Sequence, residues 1–349
     1  MTENRSPRRS APEVSVPPAL ARATSFTSGE RRHVLDLDDF SREEIEEVFS
    51  ATDAMREVLG REIKKVPTLR GKTVVNLFYE ASTRTRVSFE LAAKNLSADV
   101  VNVSVSTSSV VKGESLIDTV RTLQALGGDM IVMRHSQAGA PYLVAQHVDG
   151  AVLNGGDGLH AHPTQALLDM YTVRQHLGQL AGRKLVIVGD ILHSRVARSN
   201  AWGFTRMGAE VVFCGPPTLL PPGLNVPTND DPSWPDRGQV CLPPVSVEYD
   251  LDRALRDADV VMALRLQKER QQGGFLPSVR EYVQLYQLNE RRLALARPDV
   301  LVMHPGPMNE GVEISPAAAR SACSVVEEQV SNGVAVRMAL FYLLSGGRA

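Results

Sequence analysis

From residue 33 onward, two apolar patterns alternate along the chain. Short unbroken apolar runs, such as "KTVVNLFY" and "RKLVIVGD", read as strands buried on both faces. Between them lie stretches whose apolar positions recur every three or four residues. The first, "REEIEEVFSATDAMREVL", follows Ser41, and Glu44 stands three residues on, a capping box that opens an amphipathic helix. The spacing then predicts a strand in "KTVVNLFY", a helix in "RVSFELAAKNL", a strand in "DVVNVSV", a helix in "SLIDTVRTLQAL" and a strand in "DMIVMRH". A helix in "PYLVAQHV", a strand in "GAVLNGG" and a long helix in "HPTQALLDMYTVRQHLG" follow.

The alternation restarts near Gly178. "RKLVIVGD" is a strand, "SRVARSNAWGFTRMG" a helix and "AEVVFCGP" a strand. A Pro-rich region, 215–244, reads as loops. "LDRALRDA" is a helix, "DVVMALRL" and "DVLVMHPGP" are strands, and "SVVEEQVSNGVAVRMALFYLLSG" is a strongly apolar final helix. Strands alternating with helices predict an α/β fold: two doubly wound parallel-sheet domains joined by the long helix.

Composition narrows this further. A chain of 349 residues suits about two domains, and 43% hydrophobic residues suffice for two cores. A net charge of −2 gives no reason to expect a nucleic acid or membrane partner. No apolar run reaches the roughly 18 residues of a membrane span. Cys214, Cys241 and Cys323 are far apart and form no C-x-x-C pair, which fits a reducing, cytoplasmic setting and argues against a structural zinc. Residues 1–32 are rich in Ser, Pro and Arg and are expected to form a disordered tail. Glu3, Glu13 and Glu30 argue against a transit peptide there.

The polar clusters sit at the carboxyl ends of the predicted strands, where open α/β sheets bind ligands. "YEASTRTR" follows the first strand. Free N–H groups at a helix start favour an anion, and Ser82, Thr83, Arg84 and Thr85 add hydroxyls and a forked cation. Ser82 as a simple N-cap with surface arginines is the alternative. Arg134 ends another strand, where it either meets a ligand oxygen or solvent. His162 opens "HPTQ", with Gln165 one turn later on the same face; a lone histidine can equally be structural. Lys112, in "STSSVVKGES", is either a ligand group or a solvated loop lysine. Arg195, Arg265 and Gln267 follow strands of the second domain and suit carboxylates, or else an interdomain ion-pair network that Glu80 and Arg270 could join. There is no G-x-S-x-G, no paired metal-ligand motif and no glycine spacing of a nucleotide loop. The inventory points to a transferase that aligns two anionic small molecules without a cofactor or metal.

"FYEASTRTRVSFE", "VMRH", "HPTQALLDMYT", "RLQKER" and "HPGP", in this order, resemble the catalytic chain of the aspartate carbamoyltransferases, from about residue 33 to the end. The resemblance implies that residues 33–177 bind carbamoyl phosphate and 178–324 bind L-aspartate, and that the final helix, 325–349, packs back on the first domain. It implies transfer of the carbamoyl group to the α-amino group of aspartate, giving N-carbamoyl-L-aspartate and phosphate, the committed step toward pyrimidines. By motif, Ser82, Thr83, Arg84 and Thr85 would hold the phosphate. Thr85, Arg134 and His162 would polarise the carbonyl oxygen, and Gln165 would contact the carbamoyl amide. Arg195, Arg265 and Gln267, with the Pro305–Gly306–Pro307 turn, would hold the aspartate. Glu80 would pair with Arg195 and Arg270 across the cleft. Ser108 and Lys112 would reach into a neighbouring subunit's site, which implies a homotrimer. A regulatory or dihydroorotase partner could join it.

The paralogous ornithine enzymes resemble H-C-L-P where this chain has "HPGP", and "RLQKER" would repel an ornithine ammonium. A transferase for another amino acceptor, or a non-catalytic anion-binding scaffold, are the other readings. One departure stands out. Relatives with "HPGPMN" usually continue with Arg where this chain has Glu310. An acid there disfavours an anionic substrate unless it points away or pairs with Arg265 or Lys268.

Overall fold

The structure, a computed structural model, describes residues 26, 31–104, 114–222, 242–267 and 278–346. Ser108, Lys112, Cys241, Lys268 and Arg270 lie outside them, as does most of the region 215–244.

Two parallel sheets form. The first has strand order β2-β1-β3-β4, built from Thr73–Phe78 (β1), Asp99–Ser104 (β2), Met130–His135 (β3) and Ala151–Asp157 (β4). The second has order β7-β6-β5-β8-β9, from Lys184–Val188 (β5), Glu210–Cys214 (β6), Ser246–Glu248 (β7), Val260–Ala263 (β8) and Leu301–Met303 (β9). Both faces of each sheet are covered, which is why the strands read as unbroken apolar runs. Successive residues alternate between layers. Val74 and Phe78 point into one core and Leu77 into another, and Leu185 and Ile187 face opposite to Val186 and Val188.

Helix α1 (Arg42–Leu59) begins at Ser41, whose capping box with Glu44 closes as expected. α2 (Thr83–Asn95), α3 (Leu116–Ala125) and α4 (Ala140–Ala145) connect the first four strands. The long α5 (Pro163–Leu177) leads to the second sheet, where α6 (Arg195–Arg206) follows β5. Short α7 (Leu251–Ala254), α8 (Val279–Tyr286), α9 (Glu290–Leu293) and α10 (Pro316–Ala319) precede the final α11 (Val326–Leu344). β7, α8, α9 and α10 fall outside the predicted elements. Three of them span only three or four residues, too short for a periodic signal.

α11 packs back against α1, α2 and α5 of the first unit. Its middle, from Ala335 to Phe341, is apolar but for Arg337 and is buried all round. α5 packs against α6 so closely that a Cβ on Gly203 would lie 2.6 Å from the Met170 methyl. Through that contact one apolar core runs from Val132 and Leu153 in the first sheet to Leu185 and Ile187 in the second.

Ordered packing also begins before His33. Arg31, inside the expected tail, is only 6% exposed. Its guanidinium binds Glu44 and Asp39 and lies 3.9 Å from the centre of the Phe40 ring. A cation with two carboxylates and an aromatic face is well compensated for burial.

Candidate active site

The carboxyl ends of the strands face a cleft of about 710 Å³. β1 runs through Tyr79 to Ser82, which caps α2 in an extended conformation (φ −159°). The Ser82 hydroxyl makes no cap to the helix backbone. It donates instead to the Thr85 hydroxyl, 2.9 Å away. The first N–H groups of α2 thus keep their capacity for an anion. Thr85 is buried, whereas Thr83 and Arg84 are exposed at the mouth. Arg84 lies against the turn after β9. A Cβ on Gly306 would come within 3.2 Å of its Cζ, and the φ of +67° at that position favours glycine.

Deeper in, Glu80 holds two arginines. Arg134, at the end of β3, donates to its Oε1 and to the Gly155 carbonyl (3.0 Å). Arg195, the first residue of α6, donates to both Glu80 oxygens and to the Gly158 carbonyl. The expected Glu80–Arg195 pair is present, and Arg134 is an added partner that sequence reasoning missed. Gly156 (φ +115°) makes room, since a Cβ would sit 3.0 Å from both guanidinium groups. Glu80 therefore ties the first unit to the second.

His162 is the N-cap of α5, and its backbone N–H donates to Ser199 Oγ on α6 (2.9 Å). Burial comes first, then Arg134, Arg195 and Arg337, in holding its imidazole well below the ordinary histidine value. It is neutral at physiological pH, and its Nδ1 has no partner among the described residues. A neutral imidazole can donate one N–H to a carbonyl oxygen without adding charge to the site.

Gln165 lines the cleft one turn further on, and its Nε2 donates to Asp169 (2.9 Å). From the second unit come Arg265 and Gln267 after β8, and Pro305, Gly306 and Pro307 after β9. His304 shapes that turn. Its Nδ1 accepts from the Gly306 N–H (2.8 Å), so its Nε2 carries the proton given to Glu313 (3.2 Å). All predicted site residues within the described part converge on this cleft. Glu310 does not line it. It turns to the surface and pairs with Arg320 at 2.7 Å, rather than with Arg265.

Among the lining residues that were not foreseen are Ser88, Gln329 and Arg337. Arg337 is 4% exposed on α11 and donates to Ser88 Oγ and Thr164 Oγ1. Burial lowers its pKa to about 10. Its signal in the sequence was a single charge inside the apolar run "VAVRMALF".

Such a cleft suits group transfer between two small anions, with the reacting groups positioned and their charge neutralised. Comparison with known proteins makes the assignment specific. Residues 32–175 match the family profile described as the aspartate/ornithine carbamoyltransferase carbamoyl-P binding domain, and 181–344 match its Asp/Orn binding domain. The aspartate carbamoyltransferase catalytic subunit of Roseiflexus castenholzii is 63% identical over 333 residues, 95% of this chain and 100% of that one. Among solved structures, the aspartate transcarbamoylase of Trypanosoma cruzi in complex with carbamoyl phosphate and aspartate superposes with a TM-score of 0.77. It is 26% identical and covers 92% of this chain and 99% of its own. The ornithine carbamoyltransferase of Pyrococcus furiosus gives 0.77 at 27% identity, covering 91% and 98%. The chain belongs to the aspartate/ornithine carbamoyltransferase family.

Proposed function

We propose that this enzyme transfers the carbamoyl group of carbamoyl phosphate to the α-amino group of L-aspartate. N-carbamoyl-L-aspartate and phosphate are released. The observation that carries the reading is the convergence on one cleft of a phosphate-type helix start and carboxylate-type arginines from the opposite unit. The name of the 63% identical relative supports aspartate as the acceptor.

In this reading Ser82, Thr83, Arg84 and Thr85 hold the phosphate. Thr85, Arg134 and neutral His162 donate to the carbonyl oxygen, and Gln165 meets the carbamoyl amide. Arg195, Arg265 and Gln267 hold the two carboxylates against the Pro305–Gly306–Pro307 turn. The first unit, 33–177 with 325–349, takes carbamoyl phosphate, and 178–324 takes aspartate. The amine nitrogen attacks the carbonyl carbon, and oxygen charge builds toward the Thr85–Arg134–His162 group. The C–O bond to phosphate then breaks, and the departing phosphate accepts the amine proton. Positioning supplies most of the rate, since effective molarities reach about 10⁵ M or more. Ser108 and Lys112 complete the site from a neighbouring chain, which makes the enzyme a homotrimer. It acts in the cytoplasm in pyrimidine biosynthesis.

A colorimetric assay for carbamoyl transfer, run in parallel with L-aspartate and L-ornithine, tests the reading. Product with aspartate alone is expected. Product with ornithine alone, or with neither in a well-folded trimer, overturns it. Inactive Arg84→Ala and Lys112→Ala chains should regain activity when mixed, and no recovery in verified mixed trimers removes the shared site.

A further inference from the structure

Behind the cleft, Asp169 stands fully buried at the junction of α5, α6 and α11. The directions of two of its hydrogen bonds follow from backbone groups. The His304 backbone N–H can only donate, and it meets Gln329 Oε1 at 3.0 Å. Gln329 must therefore turn its Nε2 to Asp169 Oδ1, 2.7 Å away. The Val196 carbonyl can only accept, and it receives Asn200 Nδ2 at 3.0 Å. The same Nδ2 meets Asp169 Oδ2 at 2.9 Å. Both carboxylate oxygens thus face donors, and in its ionised form the group can only accept. Arg337 is the charged group that faces this carboxylate from α11. Burial pushes Asp169 up to about 6, against the pull of the Asn200, Gln329 and Gln165 amides and Arg337.

The remaining contact is with Gln165, 2.9 Å from Oδ1. An oxygen that only accepts admits only the amide nitrogen. The two ends of the Gln165 amide are therefore not interchangeable: Nε2 is held at the back, and Oε1 is left to the cleft.

We infer that Asp169 is a specificity-determining positioning residue: it fixes Gln165 so that the cleft presents an acceptor, selecting a substrate whose acyl carbon bears an N–H donor. The inference rests on carbamoyl phosphate being the ligand of this site. Acetyl phosphate is the discriminating probe, because it replaces the carbamoyl NH₂ with a methyl group of similar size and leaves the carbonyl and phosphate alone. A site built around a hydrogen bond rejects the analogue that lacks it more strongly than a site built on shape alone.

The test is calorimetric binding of both acyl phosphates to the full-length protein, its Asp169→Ala and Gln165→Ala variants, and the double variant. The wild type should prefer carbamoyl phosphate by about tenfold or more. Each single variant should lose most of that preference by weakening carbamoyl phosphate alone, and the double variant should lose no more than either. Equal weakening of both ligands in Asp169→Ala, additive losses, or no preference in the wild type would overturn the inference. Failure of the wild type to bind either ligand would instead overturn the functional reading.

Should Asp169→Ala fail to fold, the wild type still decides. With side-chain ¹⁵N label in glutamine, the Gln165 amide protons should be slow to exchange before ligand is added. Fast exchange that slows only with carbamoyl phosphate would place the nitrogen in the cleft and refute the orientation.

Discussion

The mouth and the floor of the cleft are built in opposite ways. At the mouth, four consecutive residues, Ser82–Thr85, bring hydroxyls, a guanidinium and a helix start to one point, and Arg84 stands exposed. At the floor, Glu80, Arg134, His162, Asp169, Arg195 and Arg337 come from distant parts of the chain, and each is held by surrounding side chains or backbone. The mouth costs the fold little, because water satisfies its charges until a ligand arrives. The floor is expensive, since each charge there has lost water and depends on its neighbours. Binding strength can therefore be varied at the mouth without consequence for the fold, whereas the floor couples chemistry to stability.

Arg84→Ala should break this comparison most visibly. Turnover should fall about a thousandfold, as when a single charge-stabilising donor is removed. Thermal unfolding should be unchanged; a drop in Tm of several degrees would mean that the mouth also supports the fold. Glu80→Gln should do both kinds of damage, because it removes the carboxylate that Arg134 and Arg195 share. Denaturant unfolding should show a loss of about 2 kcal/mol, less than for a fully buried pair because the Glu80 side chain is 24% exposed. Activity should fall with it, and a Glu80→Gln enzyme that is inactive yet as stable as wild type would contradict the shared dependence.

A finer test lies beside His162. Asp36 accepts from Ser199, which in turn accepts from the His162 N–H. Burial, then Asp38, pushes Asp36 up to about 7, while His160 pulls it down. His160 is itself raised by its hydrogen bond to Asp157, against burial and Arg198. An acid with a raised native pKa binds its proton more tightly folded than unfolded, so its contribution to stability falls as pH rises from about 4 to about 7. Asp36→Asn should therefore gain on wild type over that range, by on the order of 1 kcal/mol or a few degrees in Tm. A difference that stays flat with pH would show that Asp36 does not carry the titration. The smallest effect belongs to Glu310→Gln. Its partner Arg320 is well exposed, so stability should shift by less than about 0.5 kcal/mol and aspartate KM should not move.

The same contrast explains what could be read from the sequence. Ser82–Thr85 lie in one continuous stretch, and the strand ends that gather Arg134, His162, Arg195 and Arg265 follow from the parallel-sheet pattern. The spacing of Gln165 and Asp169, four apart on one helix, was available as a signal. That Asp169 also meets Asn200 and Gln329 was not, because those contacts depend on how three helices cross. The Glu80–Arg134 pair is hidden for the same reason: 54 residues separate its members, and either could have met solvent. The outward turn of Glu310 depends on Arg320, whose place is set by the short α10 that periodicity could not predict.

The return of α11 to the first unit has a consequence for how the protein is made. Met338, Leu340 and Phe341 fill the space against α1, α2 and α5, yet they are translated only after the whole second sheet. When the ribosome has released residues 33–177, the first sheet is complete but one of its covering helices does not exist. Of the two sheets, the one synthesised first is covered last, and until α11 emerges a chaperone would find an apolar groove where it will lie.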